Sequence, residues 1–246
     1  MKVLAVVPAR YSSSRFPGKI LAKDTGKFLI QHTYEQACLA KLPEKVLIAA
    51  DDEKVVEAAK SFGAECVLTS IDHQSGTDRI AEAVADLDAE IVVNLQGDEP
   101  EIDPANVDYL AKLLIDNPDY PMATLAAEFD TPELVADPNI VKVIMDRNGR
   151  AIYFSRSVIP YDRDKSGIGD VQLYLKHVGI YAYRKSFLLE ITALPQTPLE
   201  KIEMLEQLRA IEHGYGILVG IVDHTSDGID TAEQYAEFVK RYDERT

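Results

Sequence analysis

Residues 3–7 form an unbroken apolar run, as expected of a parallel strand covered on both faces, and helical spacing follows over about 29–39. A second buried strand is predicted at 45–50. Asp51-Asp52-Glu53 opens a helix whose Val55, Val56, Ala59 and Phe62 share one face, closed by Gly63. Residues 66–68 read as a third strand, Ile80, Ala81, Val84 and Leu87 as the inner face of the next helix, and 91–95 as a fourth strand. Asp103-Pro104 has the capping carboxylate and first-turn proline of a helix start. Strands alternating with helices in this way predict a right-handed, parallel α/β sheet.

Further along, the rhythm changes. Residues 140–145 and 151–155 flank the turn Asp146-Arg147-Asn148-Gly149 and predict a β-hairpin, followed by a strand over 174–183. Residues 160–170 are polar and turn-rich, and are expected to protrude as a loop. A helix over 199–214 with Ile202, Leu205 and Leu208 inward, a late strand at 217–222 and a closing helix at 231–242 complete the pattern. The hairpin reads as an insertion into the α/β layer, with no linker, internal repeat or low-complexity tract.

Composition narrows the class. An apolar fraction of 46% over 246 residues can bury the core of one α/β domain. The 26 basic and 41 acidic residues leave a net charge of -15, a surface that repels nucleic acid and anionic membranes, so neither is expected as a partner. Against that background the stretch from Met1 to Lys23 has no acidic residue but holds Lys2, Arg10, Arg15, Lys19 and Lys23, which marks it for an anion. Cys38 and Cys66 lack metal-binding spacing and read as small buried hydrophobes in a reducing compartment. No apolar run approaches membrane-spanning length and the chain opens on a strand pattern, so a cytoplasmic location is expected.

The chemically loaded segments follow strands one, three and four, and open parallel sheets bind ligands beyond the carboxyl ends of their strands. After strand one, Pro8-Ala9-Arg10-Tyr11-Ser12-Ser13-Ser14-Arg15-Phe16-Pro17-Gly18-Lys19 lacks the Walker pattern but offers guanidinium forks, an ammonium, hydroxyls and backbone amides to a triphosphate. After strand three, His73-Gln74-Ser75-Gly76-Thr77-Asp78-Arg79 either caps a helix through Ser75 or Thr77 or admits a nucleobase or ribose beside Gly76. After strand four comes Asn94-Leu95-Gln96-Gly97-Asp98-Glu99-Pro100, where Asp98 is placed to hold Mg²⁺ against phosphates. Near the end, Gly228-Ile229-Asp230-Thr231 reads first as a capping box for the last helix.

The stretches PARYSSSRFPGK, SGTDRIAE, VVNLQGDEP, AIYFSRS, KHVGIYAYR, LEQLR and GIDT closely resemble the 3-deoxy-manno-octulosonate (Kdo) cytidylyltransferase family, in the family's order and over nearly the whole chain. The resemblance implies a Rossmann-like nucleotide-diphospho-sugar transferase fold: a mixed, mostly parallel central sheet flanked by helices, with an inserted hairpin subregion for dimerisation and substrate. It implies one domain over 1–246, in which 1–130 serve mainly the nucleotide and 131–215 mainly the sugar acid and dimer contacts. By position, Pro8, Ala9, Arg10, Ser13, Lys19, Ser75, Gly76, Arg79 and Asp98 are implied for CTP, and Asp98 with Asp230 for Mg²⁺. Asp98, Lys19, Arg10 and Asp230 are the implied catalytic set, and Arg15, Gln96, Arg156, His177, Tyr183, Glu206 and Gln207 the implied sugar-acid pocket. A cytoplasmic homodimer that makes CMP-Kdo for lipopolysaccharide is the expectation. The same chemistry on an 8-amino analogue or another acidic sugar, and a nucleotide-sensing binding protein, are the alternatives. The chain departs from the family pattern at GIDTAEQY, which lacks a proline after the threonine, and at PGKI, where a second proline is common.

Overall fold

The computed structural model describes every residue except Ser14, Asp227 and Thr246. The chain packs as two compact units, Met1–Ala111 with Ser226–Thr246, and Lys112–Thr225.

The first unit is the predicted α/β alternation: β1 (Val3–Ala9), α1 (Leu29–Ala37), β2 (Lys45–Ala50), α2 (Glu53–Ser61), β3 (Cys66–Leu68), α3 (Gly76–Val84), β4 (Ile91–Asn94) and the start of α4 (Pro104–Asp116). Its strands run parallel in the order β3-β2-β1-β4, with Val6 opposite Leu47 on one side and Asn94 on the other. Both faces of β1 are covered, which is why its sequence is apolar without alternation. The end signals act as read. Asp52 caps α2, Ser75 caps α3 in a box with Asp78, and Asp103 accepts from the Ala105 amide at 2.8 Å. Cys38 ends α1 exposed to solvent, contrary to the expectation of burial, while Cys66 is half-buried in β3.

The second unit holds β5 (Met122–Glu128), α5 (Pro132–Ala136), the hairpin β6 (Lys142–Met145) and β7 (Ala151–Ser155), β8 (Leu175–Arg184), α6 (Lys185–Ala193), α7 (Pro198–Glu203), α8 (Leu208–Glu212) and β9 (Ile217–Ile221). β5 pairs antiparallel with β8 and parallel with β9, and β6 pairs antiparallel with β7 and β8. With the parallel pairs of the first unit, this is a mixed, mostly parallel sheet fold flanked by helices. β5, α5 and α6 were not legible in the pattern. The single helix expected over 199–214 is two, because Met204 adopts a left-handed φ of 52° and Ile202, expected inward, is 78% exposed. The buried ion pair of Glu200 with Arg209 (2.6 Å) ties the two short helices together.

The chain then returns to the first unit through α9 (Ala232–Asp243), whose Tyr235 and Phe238 pack with Leu29 and Ile229. Thr231 and Gln234 form its capping box, so Asp230 is left outside the cap.

Candidate functional site

The turn after β1 is shaped by Gly18, whose φ of 70° few side chains tolerate and which lets Lys19 begin a short 3-10 turn. With the loop after β4 and the segment before α9, it lines a cavity of about 880 Å³ in the first unit. Of the residues expected there, Pro8, Arg10, Ser13, Arg15 and Lys19 line it from the turn, Gly76 from α3, Gln96 and Asp98 from the β4 loop, and Asp230 from the last segment.

Lys19 is the hub. Its Nζ donates to Asp98 Oδ2 at 2.5 Å, to the Ile229 carbonyl at 2.7 Å and to Asp230 Oδ1 at 3.1 Å. Arg15 pairs with the same Asp230 oxygen at 2.8 Å. Two cations and two carboxylates thus balance one another, while Arg10 is exposed and forms no ion pair with any described residue. The two carboxylates are separated by most of the sequence yet share one ammonium, and the Ile229 amide donating to the Asp98 carbonyl at 2.9 Å pins their segments together.

The floor is fitted as closely. A Cβ on Gly97 would stand 2.6 Å from the Pro8 carbonyl oxygen, so only glycine lets the β4 loop cross the end of β1 here. The Thr33 hydroxyl donates to the Gly97 carbonyl at 3.1 Å from below.

Ala9, Ser75 and Arg79 lie outside the cavity lining. Ala9 is buried in β1, and the Ser75 hydroxyl is engaged as the α3 cap, accepting from Asp78 N at 3.1 Å. Arg79 is fully buried and donates to the Thr69 hydroxyl at 2.6 Å. His73 bonds to Glu82 instead of lining the cavity. Ser14 lies outside the described residues.

The remaining expected residues belong to the second unit. On β8, His177 Nε2 meets the Thr124 hydroxyl at 3.0 Å, and its ring packs edge-on against Phe154 at 4.9 Å. Burial pushes the His177 pKa down to about 3, so this imidazole is neutral. Tyr181 and the buried Tyr183 continue the same aromatic face, with ring centroids 5.9 Å apart. Burial, with the Glu206 carboxylate adding to it, pushes the Tyr181 hydroxyl pKa up. Gln207 is buried at the start of α8, and its Nε2 has no hydrogen-bond partner among the described residues.

Arg156 donates through Nε to the Glu203 carbonyl at 2.7 Å and through Nη1 to the Pro138 carbonyl at 3.1 Å. The Glu203 carboxylate accepts from the Ser155 hydroxyl at 2.6 Å and from the Arg156 amide at 2.9 Å. Sequence reasoning missed Glu203, because a glutamate at a helix end has no local signal of what it clamps. It also missed Tyr181, and it missed Asp51, read only as part of a helix opening.

A cation-bearing turn, paired carboxylates and a glycine floor beyond the carboxyl ends of parallel strands are the parts of a nucleotidyltransferase. Residues 4–219 match the family model for cytidylyltransferases. A 3-deoxy-manno-octulosonate cytidylyltransferase of Solibacter usitatus is 52% identical over 232 residues, covering 94% of this chain and 91% of that protein. One from Syntrophotalea carbinolica is 46% identical, with 95% of each covered. The solved structure of a CMP:2-keto-3-deoxy-manno-octonic acid synthetase complexed with CTP superposes with a TM-score of 0.94 at 41% identity, over all of both chains. The chain belongs to the cytidylyltransferases and, within them, to the 3-deoxy-manno-octulosonate cytidylyltransferase family.

Proposed function

We propose that this protein transfers CMP from CTP to the anomeric hydroxyl of Kdo, giving CMP-Kdo and pyrophosphate, as a cytoplasmic homodimer supplying lipopolysaccharide synthesis. The observation that carries the reading is the junction at Lys19, where the phosphate-type turn meets Asp98 and Asp230. In the reaction the sugar hydroxyl gives its proton to solvent and its oxygen forms a bond to the α-phosphorus as the bond from that phosphorus to the bridging oxygen of the β-phosphate breaks in line, and pyrophosphate leaves with the electron pair. The protein contributes position and charge rather than a covalent intermediate. Arg10, Ser13 and Lys19 hold the triphosphate and neutralise the departing pyrophosphate. Pro8 and Gly76 border the cytidine, Gly76 at the N-terminus of α3.

Asp98 and Asp230 suit Mg²⁺: both are hard oxygen donors gathered on one cation, and two protein carboxylates leave room for phosphate and water ligands. When bound there, the ion would lower the pKa of the attacking hydroxyl and offset charge on the phosphates. Arg156, His177, Tyr183, Glu206 and Gln207, all of the second unit, receive the sugar acid, with His177 neutral and therefore a hydrogen-bonding rather than a charged partner.

The test is a matrix of four nucleoside triphosphates against Kdo, 8-amino-Kdo and sialic acid, each with Mg²⁺, scored by pyrophosphate release and product mass. CTP with Kdo is expected to dominate. Preference for another acid would move the substrate assignment, and CTP binding without product from any acceptor would replace the enzyme with a nucleotide sensor. Asp98→Ala is expected to lower turnover about a hundredfold or more.

A further inference from the structure

A buried guanidinium is costly unless its donors and charge are met, so what surrounds Arg79 bears on what it does. Its side chain, fully buried, runs from α3 toward the ends of β2 and β3. Nη1 donates to the Thr69 hydroxyl at 2.6 Å and to the Ser70 carbonyl at 3.3 Å, and Nη2 pairs with Asp51 Oδ2 at 3.5 Å. Thr69 is itself anchored, its hydroxyl donating to the Ala50 carbonyl at 2.8 Å. Asp51, half-buried with its side chain largely covered, uses its other oxygen to accept from the Tyr11 backbone amide at 2.8 Å. Tyr11 directly follows Arg10 in the cation-bearing turn, and Lys54 stands 4.5 Å over its ring. Arg79 does not line the cavity, whereas Arg10 and Tyr11 do.

We propose that Arg79 and Asp51 are positioning residues of the phosphate turn. Asp51 holds the Tyr11 amide and so fixes the direction in which Arg10 and Ser13 present their donors, and Arg79 fixes Asp51 without touching nucleotide. This inference rests on the CTP reading above. It replaces a direct contact of Arg79 with cytidine by an indirect action on the triphosphate, and the two make different demands on ligands that differ only in phosphate.

The experiment uses the full chain and the variants Asp51→Asn, Asp51→Ala, Arg79→Lys, Arg79→Met and Asp51→Ala with Arg79→Met. Each is titrated calorimetrically with CTP, CMP and cytidine in Mg²⁺, with KM and kcat measured alongside. Asp51→Ala is expected to weaken CTP about tenfold while leaving CMP and cytidine within about twofold, and to leave the preference of CTP over UTP unchanged. Asp51→Asn keeps an acceptor for the Tyr11 amide and is expected to recover part of that loss. The double variant is expected to lose less than the product of the single losses, because both act through one contact. Equal weakening of CTP, CMP and cytidine by Arg79→Lys, with loss of base preference, would assign Arg79 to the base and overturn the proposal. So would an Asp51→Ala protein that binds CTP normally. If Asp51→Ala fails to fold by circular dichroism, Asp51→Asn and Arg79→Lys carry the same comparison. An unmodified protein that ignores CTP overturns the CTP reading along with this one, whereas an active protein with unaffected variants overturns this one alone.

Discussion

At the scale of single residues, Lys19 and Gly97 are the most exacting positions. Lys19 satisfies Asp98 and Asp230 with one ammonium, so Lys19→Met should leave two carboxylates facing one another with only Arg15, at Asp230, to compensate. Such a variant is expected to bind Mg²⁺ alone about several-fold more tightly by calorimetry, yet to turn over roughly a hundredfold more slowly for want of a triphosphate partner. Retained turnover would remove Lys19 from the chemistry. Gly97→Ala places a methyl group 2.6 Å from the Pro8 carbonyl oxygen, and backbone must move. A loss of about 1–3 kcal/mol in urea unfolding is expected, with activity falling as the Asp98 loop shifts. Part of this scale was legible in the sequence: a helix start at Asp51-Asp52-Glu53 and a cap at Ser75 or Thr77 were expected, and Asp52 and Ser75 take those roles. Asp51 was not, because Asp51 and Asp52 are chemically identical and only the twist of the chain after β2 sends one into the cap and the other to Tyr11.

At the scale of elements, the end of β7 is held by the end of α7. Glu203 accepts from the Ser155 hydroxyl and the Arg156 amide, and its carbonyl takes Arg156 Nε. Glu203→Ala keeps the carbonyl that takes Arg156 Nε but removes the carboxylate that holds the Ser155 hydroxyl and the Arg156 amide, so the end of β7 should loosen and the KM for the sugar rise about tenfold, with the KM for CTP nearly constant in steady-state assays. β8 offers a second test. His177 is held neutral with a pKa near 3, while in the unfolded chain it takes a proton near 6.5. The unfolded state therefore binds the extra proton, so stability is complete above about pH 6.5 and declines as pH falls toward 3, by up to about 1.4 kcal/mol per pH unit. His177→Gln should flatten that acid limb in melting curves taken between pH 4 and 7. The wild-type rate profile should show no ionisation from this residue at neutral pH. The parallel strands were readable because two-sided burial writes them as apolar runs. β5 was not, since its run Met122-Ala123-Thr124-Leu125-Ala126-Ala127-Glu128 carries alanines that suit a helix equally, and its strand state comes from pairing with β8 and β9. The break at Met204 is likewise decided by the Glu200–Arg209 pair, which folds α8 back on α7.

At the scale of the whole molecule, the charge of -15 sets a repulsive background against which one cation-bearing turn stands out. Raising ionic strength from about 0.01 M to 0.15 M shortens the Debye length from about 30 Å to about 8 Å, so the melting temperature is expected to rise over that range. A fall would mean that the exposed pairs outweigh the net repulsion. Among the described residues no helix is long and apolar enough to cross a membrane. By itself the sequence determined the α/β alternation of the first unit, its helix ends, the cation-bearing turn between Pro8 and Lys19 and, through its motif order, the family. These are properties of local spacing and residue chemistry, which act over a few positions and survive without a fold. Only the tertiary structure decided that Asp98 and Asp230 meet on Lys19, that Arg79 turns away from the cavity to Asp51, and that Glu203 clamps Arg156. Those contacts join positions far apart in the chain. Strand register and burial choose among many equally charged partners there, and no local pattern records that choice.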